Sequence, residues 1–308
     1  MIFLPNAVEM MTMRILLSLA LLFACAQWTV AQDMPLADVL IPGQDWELVA
    51  DGYKFTEGPA VDADGNLYFV DVPNQLVLKI DHGTKQVSTF SQGQGATSGL
   101  MFGADGRLYG SQNRDRRIVV FDAAGKMEVI ADDLGANDLV VASNGNIYCT
   151  DPKGHQVWLV RPTGEKRVVA TDITSPNGII LWPDEGTLVV ADSAGQNLIA
   201  YRVELDGSLR YGVPVYTCRV KEKDAPSRAD GMTVDSAGRL YVATEAGLQM
   251  FDPTARISGV MHKPTEQFLS NVAFAGPELD WLYVSCGGGI YRRPTQATGV
   301  RYGKVKAD

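Results

Sequence analysis

Histidine, cysteine and positive charge are all scarce in this chain, and each shortage closes a route. Three histidines, His82, His155 and His262, stand in 308 residues, and they supply no evident Ser-His-Asp arrangement. Four cysteines lie at 25, 149, 218 and 286, with no Cys-x-x-Cys spacing for metal or redox chemistry. Lys and Arg number 27 against 36 Asp and Glu, a formal charge of −9. That balance argues against nucleic acid as a partner and offers nothing to an anionic membrane. Long apolar runs are missing as well. The one candidate, Ile15 to Ala24, falls well short of the roughly 20 residues a membrane span needs.

That run reads instead as an export leader. Arg14 precedes it, and Thr29-Val30-Ala31 offers small residues for a cut before Gln32, the pattern of a secretory signal. Residues 1–31 are therefore read as a signal peptide, with Met11 or Met13 as alternative starts, and residues 32–308 as one domain of a periplasmic or secreted protein. Leu22-Phe23-Ala24-Cys25 offers a competing lipoprotein cut that would leave a lipidated Cys25. Cleavage after Ala31 leaves three cysteines. An odd number at scattered spacing makes no disulfide framework and allows at most one bridge.

What the chain does have is a repeat. Glu57-Gly-Pro-Ala-Val-Asp-Ala-Asp-Gly-Asn-Leu-Tyr68 recurs as Ser98-Gly-Leu-Met-Phe-Gly-Ala-Asp-Gly-Arg-Leu-Tyr109 and, more loosely, from Asn137, Asn177, Asp230 and Ser270. Those starts are separated by 41, 39, 40, 53 and 40 residues, the period of a propeller blade. Asp-Gly, Asn-Gly and Ala-Gly at the turns are hairpin chemistry. A third strand follows each copy and a fourth follows the first five, for example Leu76–Ile80 and Val87–Phe90, with the fifth copy's fourth strand expected near Glu266–Leu269. The last copy lacks an outer strand, while an unmatched strand, Trp46–Ala50, precedes the first. The economical fold is an all-β, six-bladed β-propeller whose ring is closed by that N-terminal strand, which removes open sheet edges.

The first strand of each blade lines the central channel, so the residues that begin it converge on one face. Here they are Glu57, Ser98, Asn137, Asn177, Asp230 and Ser270, all bearing oxygen. Two carboxylates and two amide carbonyls form a hard-oxygen set that suits Ca²⁺ and, less well, Mg²⁺. A zinc site would call for His or Cys at these positions.

Glu57-Gly58-Pro59, Asn137-Asp138, Ser175-Pro176-Asn177-Gly178 and Asp230-Gly231-Met232, in this order and spacing, resemble the senescence-marker-protein/gluconolactonase/luciferin-regenerating-enzyme family from about Trp46 to Arg292. The resemblance implies a six-bladed propeller with one catalytic divalent metal, usually calcium, in its channel. It implies metal ligands at Glu57, Asn177 and Asp230, with Asn137 a fourth ligand or close neighbour. It also implies Asp230 as general base or nucleophile and Asp138 as a second acid beside the site. The expected reaction is the opening of a small-molecule lactone or ester, with the metal polarising the carbonyl and a carboxylate taking a proton from water. Sugar-lactonase members often carry an Arg two residues before the equivalent of Asn137; this chain has Gly135 there.

Topology brings the loops after the second strands to the same face, which makes Arg114, Lys153 and His155 candidates for substrate contact. Asp71, Asp151 and Asp192, at the ends of second strands, are expected to hold turns. His82 and His262 are expected on the surface. The long fourth interval places an extra loop, Cys218 to Arg228, directly before Asp230, in the position of a lid. Two other readings stay open at this point: a phosphotriesterase or other ester hydrolase on the same site, and a propeller that only binds a ligand.

Overall fold

The computed structural model describes residues 34–302. The leader read over residues 1–31, and Cys25 with it, lies outside the described residues. Among the described residues, twenty-four strands form six four-stranded antiparallel sheets. The inner strand of each sheet touches the inner strand of the next, and blade one (Thr56–Val61) meets blade six (Leu269–Ala275) to complete the ring. The fold is a six-bladed propeller.

Burial follows position within the blade. Second strands such as Leu67–Asp71, Ile147–Asp151 and Leu240–Thr244 are buried along their whole length, because neighbouring blades cover both faces. They therefore read as short continuous apolar runs rather than alternating ones. Outer strands such as Val87–Gln92 are mostly exposed. The repeated turn has a fixed chemistry. The carboxylate of Asp235 accepts from the turn amides of Ala237 and Arg239 at 2.9 Å, from the Arg239 guanidinium at 2.9 Å, and from the Tyr241 hydroxyl at 2.8 Å. Asp105, Arg107 and Tyr109 repeat that clasp in blade two. Gly65 is required at its turn: its φ is 86°, and a Cβ would stand 2.4 Å from the carbonyl oxygen of Gly276 in blade six.

Two expectations are corrected. The outer strand of blade five is Ile257–Met261, not a segment near Glu266–Leu269; Leu269 opens the inner strand of blade six. Gly259 interrupts the apolar run in the sequence, yet Leu36 of the N-terminal 3-10 turn Leu36–Asp38 packs where a side chain would stand. His82 is not a surface residue. It is half-buried beside Trp281, with Nδ1 3.0 Å from the Tyr283 hydroxyl. His262 is exposed, as expected. Cys149, Cys218 and Cys286 are free and buried.

The closing strand is Glu47–Ala50, which adds to Gly289–Pro294 as the fourth strand of blade six. Side chains reinforce the seam. Arg292 Nε donates to Glu47 at 3.0 Å, Arg293 donates to the Gln44 carbonyl at 2.8 Å, and Trp46 Nε1 donates to the His262 carbonyl at 2.8 Å. Deleting residues 32–51 strips this strand and reopens a sheet edge. The truncated protein is expected to lose its cooperative thermal transition; a melt matching that of the mature chain would show that the ring does not depend on this strand.

Candidate functional site

Each inner strand pairs antiparallel with its second strand from the first residues on, as Glu57 with Val70. Inner-strand starts and the loops after second strands therefore share one face. The acids at the ends of second strands pin this face. Asp71 accepts from the amides of Lys54 and Phe55 and from Asn74 Nδ2; Asp192 accepts from the Ser175 amide at 2.9 Å; Asp151 accepts from the Gly154 amide at 2.9 Å. Asp71 and Asp192 hold the segments that lead into their inner strands, while Asp151 holds the turn after its own second strand.

Four ring positions lie together at this face. Asn137 Nδ2 donates to Asn177 Oδ1 at 2.5 Å, and Asn177 in turn hydrogen-bonds the Asp230 carboxylate. Asp230 is buried, and its strand is fixed by Asp230 N to the Ala243 carbonyl and Gly231 N to the Ser270 carbonyl, both at 2.9 Å. Burial, then the charge of Glu57, then that of Asp138, hold the Asp230 carboxyl well above the usual carboxylate range. Burial first and Asp138 second push Glu57 up to about 8. Burial pushes Asp138 up to about 7. Three acids thus sit within electrostatic reach of one another in a poorly solvated channel. Among the described residues, no cationic side chain is among the groups that shift them.

Ser98 and Ser270 share the register but act as braces. Ser98 Oγ donates to the Asn137 carbonyl at 2.6 Å, and Ser270 Oγ to the Thr56 carbonyl at 2.9 Å. Two site neighbours were missed from the sequence. Asn271 Nδ2 donates to Glu57 Oε2 at 3.3 Å, and Asn113 Nδ2 donates to Asn137 Oδ1 at 3.4 Å. Asn271 carried a signal. The residue after each ring position is Gly58, Gly99, Asp138, Gly178, Gly231 or Asn271, so only blades three and six put a polar side chain there. The glycine one blade earlier leaves the space: a Cβ on Gly99 would stand 2.6 Å from Asp138 Oδ1, and one on Gly231 1.9 Å from Asn271 Oδ1.

Arg114, Lys153 and His155 lie exposed on loops of this face, and His155 Nδ1 is spent on the Thr174 carbonyl at 2.5 Å. The loop Cys218 to Arg228 is tied at its end, where Ser227 Oγ donates to the Gly195 carbonyl and Gln196 Nε2 to the Ala225 carbonyl, both at 3.0 Å. Its Lys221–Asp224 stretch is exposed. At Gly135 a Cβ would lie 2.0 Å from the Asp151 carboxyl carbon. Asp151 is itself held by Gly154, Gln156 and Trp158, so this place admits no larger residue.

The donor set fits a hard divalent cation. Among the described residues no three His, Cys, Asp or Glu side chains could hold a metal by themselves. The set is instead mixed, with the carboxylates of Glu57 and Asp230 beside the amide oxygens of Asn137 and Asn177, a composition suited to an oxygen-seeking ion. Buried carboxylates without a cationic partner call for one.

Comparisons with known proteins place the chain among relatives of the same fold. The family model described as "SMP-30/Gluconolactonase/LRE-like region" matches residues 55–287. A gluconolactonase of Zymomonas mobilis is 25% identical over 295 residues, covering 82% of this chain and 82% of that protein. Among solved structures, a gluconolactonase from Xanthomonas campestris superposes with a TM-score of 0.75 at 25% identity, over 84% of this chain and 92% of that one. A calcium-binding protein, regucalcin, from Agrobacterium tumefaciens shares the fold at 17% identity, with a TM-score of 0.72 over 84% of this chain and 96% of that one. The chain belongs to the SMP-30/gluconolactonase/luciferin-regenerating-enzyme-like family.

Proposed function

We propose that the protein is an exported, calcium-dependent lactonase that opens a small lactone by carboxylate-assisted attack of water. Membership of a family whose relatives include gluconolactonases supports the reaction class. The carrying observation is the set of buried acids with no cationic counterpart, flanked by amide oxygens at one mouth of the channel. Glu57, Asn177 and Asp230 would hold the ion, with Asn137 as fourth ligand or close neighbour. When bound, that ion supplies Lewis-acid polarisation of the lactone carbonyl. Asp230 takes the proton of the attacking water as its oxygen bonds to the acyl carbon. The ring C–O bond then breaks, and the departing oxygen takes that proton back from Asp230 to leave a hydroxy acid. Asp138, on the next blade position inward, is the reserve base, because a carboxylate bound to metal is a weaker one.

Arg114, Lys153 and His155 form the rim that a substrate would pass, and the loop from Cys218 to Arg228 is read as a lid over it. The substrate is assigned only as a lactone. The place from which sugar-lactonase relatives extend an arginine is here occupied by Asp151 packed on Gly135. Export rests on the leader pattern of residues 1–31, with lipidation at Cys25 as the competing outcome.

Two measurements test this reading. Lactone hydrolysis is followed against calcium concentration for Asp230→Asn and Glu57→Gln. Asp230→Asn keeps an oxygen donor but loses the base, so turnover should fall by ~10²–10⁴-fold even at saturating calcium. Glu57→Gln should need more calcium and recover much of its activity. Full recovery of Asp230→Asn with calcium would make Asp230 a ligand only and move the base to Asp138. The second measurement is thermal stability against pH after chelation. Glu57 and Asp138 bind protons more tightly folded than unfolded, so the metal-free protein should lose stability as pH rises from the ordinary carboxylate range, 4.5 and 3.8, to about 8. Added calcium should remove that loss, since it replaces the protons. A flat profile in chelator would show that these acids are not buried without a counter-ion.

A further inference from the structure

Below the layer formed by Asp138 and Asn271, the channel widens into a cavity of about 700 Å³ that reaches the face opposite the candidate active site. Asp138 and Asn271 form its roof, while Glu57, Asn177 and Asp230 are not among its lining residues. Leu100, Met101, Ile180, Met232 and Phe274 make its wall mostly apolar. A volume of this order, an apolar wall and a few polar groups are the composition of a small-molecule site.

Its floor is built by the chain's last described residues. After blade six the backbone crosses the opposite face, where Gly299 bridges Asp235 of blade five and its amide donates to the Leu279 carbonyl at 2.8 Å. Arg301 then ties blade one to blade six, donating to the carbonyls of Ala63 at 3.1 Å and Pro277 at 2.5 Å. This fixes Val300 and Tyr302 against the cluster that contains Met232 and Phe251. Tyr302 lines the cavity, and its hydroxyl is buried with no hydrogen-bond partner among the described residues. Burying an unpaired hydroxyl is costly, and phenylalanine would fill the same space without that cost. Burial also raises the phenol's pKa, which keeps it a neutral donor.

We infer that this lower cavity is a second ligand site, separate from the catalytic ring, for a compact, uncharged, mostly apolar molecule carrying one carbonyl or ether oxygen that accepts from Tyr302. Among the charged lining residues the three acids Asp62, Asp64 and Asp138 outweigh the one cation, Arg301, and disfavour an anion. Arg301 at the lining and an apolar wall that leaves a charge unsolvated disfavour a cation as well.

The test uses the mature, calcium-loaded protein and cyclohexyl phenyl ketone, with benzylcyclohexane as its oxygen-free counterpart. Binding is measured by calorimetry or saturation-transfer NMR. The ketone should bind saturably, and Tyr302→Phe, which keeps the ring, should weaken it about 2- to 10-fold, the range of one neutral hydrogen bond. Benzylcyclohexane should bind the two proteins equally. Ile180→Trp, which fills the cavity, should abolish binding of both compounds. Equal ketone affinity in wild type and Tyr302→Phe, no saturable binding, or competitive inhibition of lactone hydrolysis by the ketone would each overturn the assignment. The last outcome would place the ketone in the upper site and leave the reading of that site intact.

Discussion

The pairing of Glu47–Ala50 with Gly289–Pro294 is the contact on which everything else rests. Five blades are made by consecutive hairpins, each of which can form locally. The sixth takes its outer strand from the other end of the chain, some 240 residues away in sequence. Only when that seam closes does blade one stand against blade six. Then the Thr56 amide reaches the Gly287 carbonyl, Ser270 reaches the Thr56 carbonyl, and Asn271 reaches Glu57. The first metal-ligand candidate and its polar neighbour are therefore brought together by ring closure, not by any local element. Arg292 shows how firmly the seam is set: it is buried, stacks 4.3 Å from the centre of the Trp281 ring, and binds both Glu47 and the Tyr283 hydroxyl.

Within that ring the site is electrostatically unfavourable on its own. Elsewhere the chain satisfies its buried acids with care, as at Asp235, where amides, a guanidinium and a phenol converge on one carboxylate. Glu57, Asp138 and Asp230 receive a few amide donors but no charge of opposite sign. A cluster of this kind holds protons or holds a cation, and its occupancy then decides whether the carboxylates act as acids, as ligands or as bases. The contrast between the two treatments, in one chain and one fold, separates the turn acids from the site acids more sharply than residue type does.

Much of this was legible in the sequence, because the blade repeat imposes a register. Glu57, Asn137, Asn177 and Asp230 could be placed on one face by counting alone, and the closing strand by noticing one strand too few at the end and one too many at the start. What register could not separate was direction. Ser98 and Ser270 hold the same repeat position but turn their hydroxyls onto backbone carbonyls of the adjacent blade. Asn113 belongs to no repeat position and reaches Asn137 from a loop. The outer strand Ile257–Met261 was hidden because Gly259 looks like a turn residue, when its task is to admit Leu36 from the N-terminal segment. In each case a partner distant in sequence set the outcome, and a repeat pattern carries no information about such partners.

The residue after each ring position extends the same logic inward. Four glycines at these positions let neighbouring backbones and side chains approach closely, as where a Cβ on Gly178 would stand 1.9 Å from the Asp230 carbonyl oxygen. Two blades depart from glycine, with Asp138 and Asn271, and these side chains form the partition between the upper ring and the lower cavity. Polar on one side and facing an apolar wall on the other, this partition divides a single channel into two environments. Above it, oxygen donors gather around charge. Below it, apolar side chains surround a space that Tyr302 narrows at the far end. A pattern of two glycines and then one larger polar residue, read at the second position of successive blades, is thus enough to give the two halves of one propeller channel different chemistry.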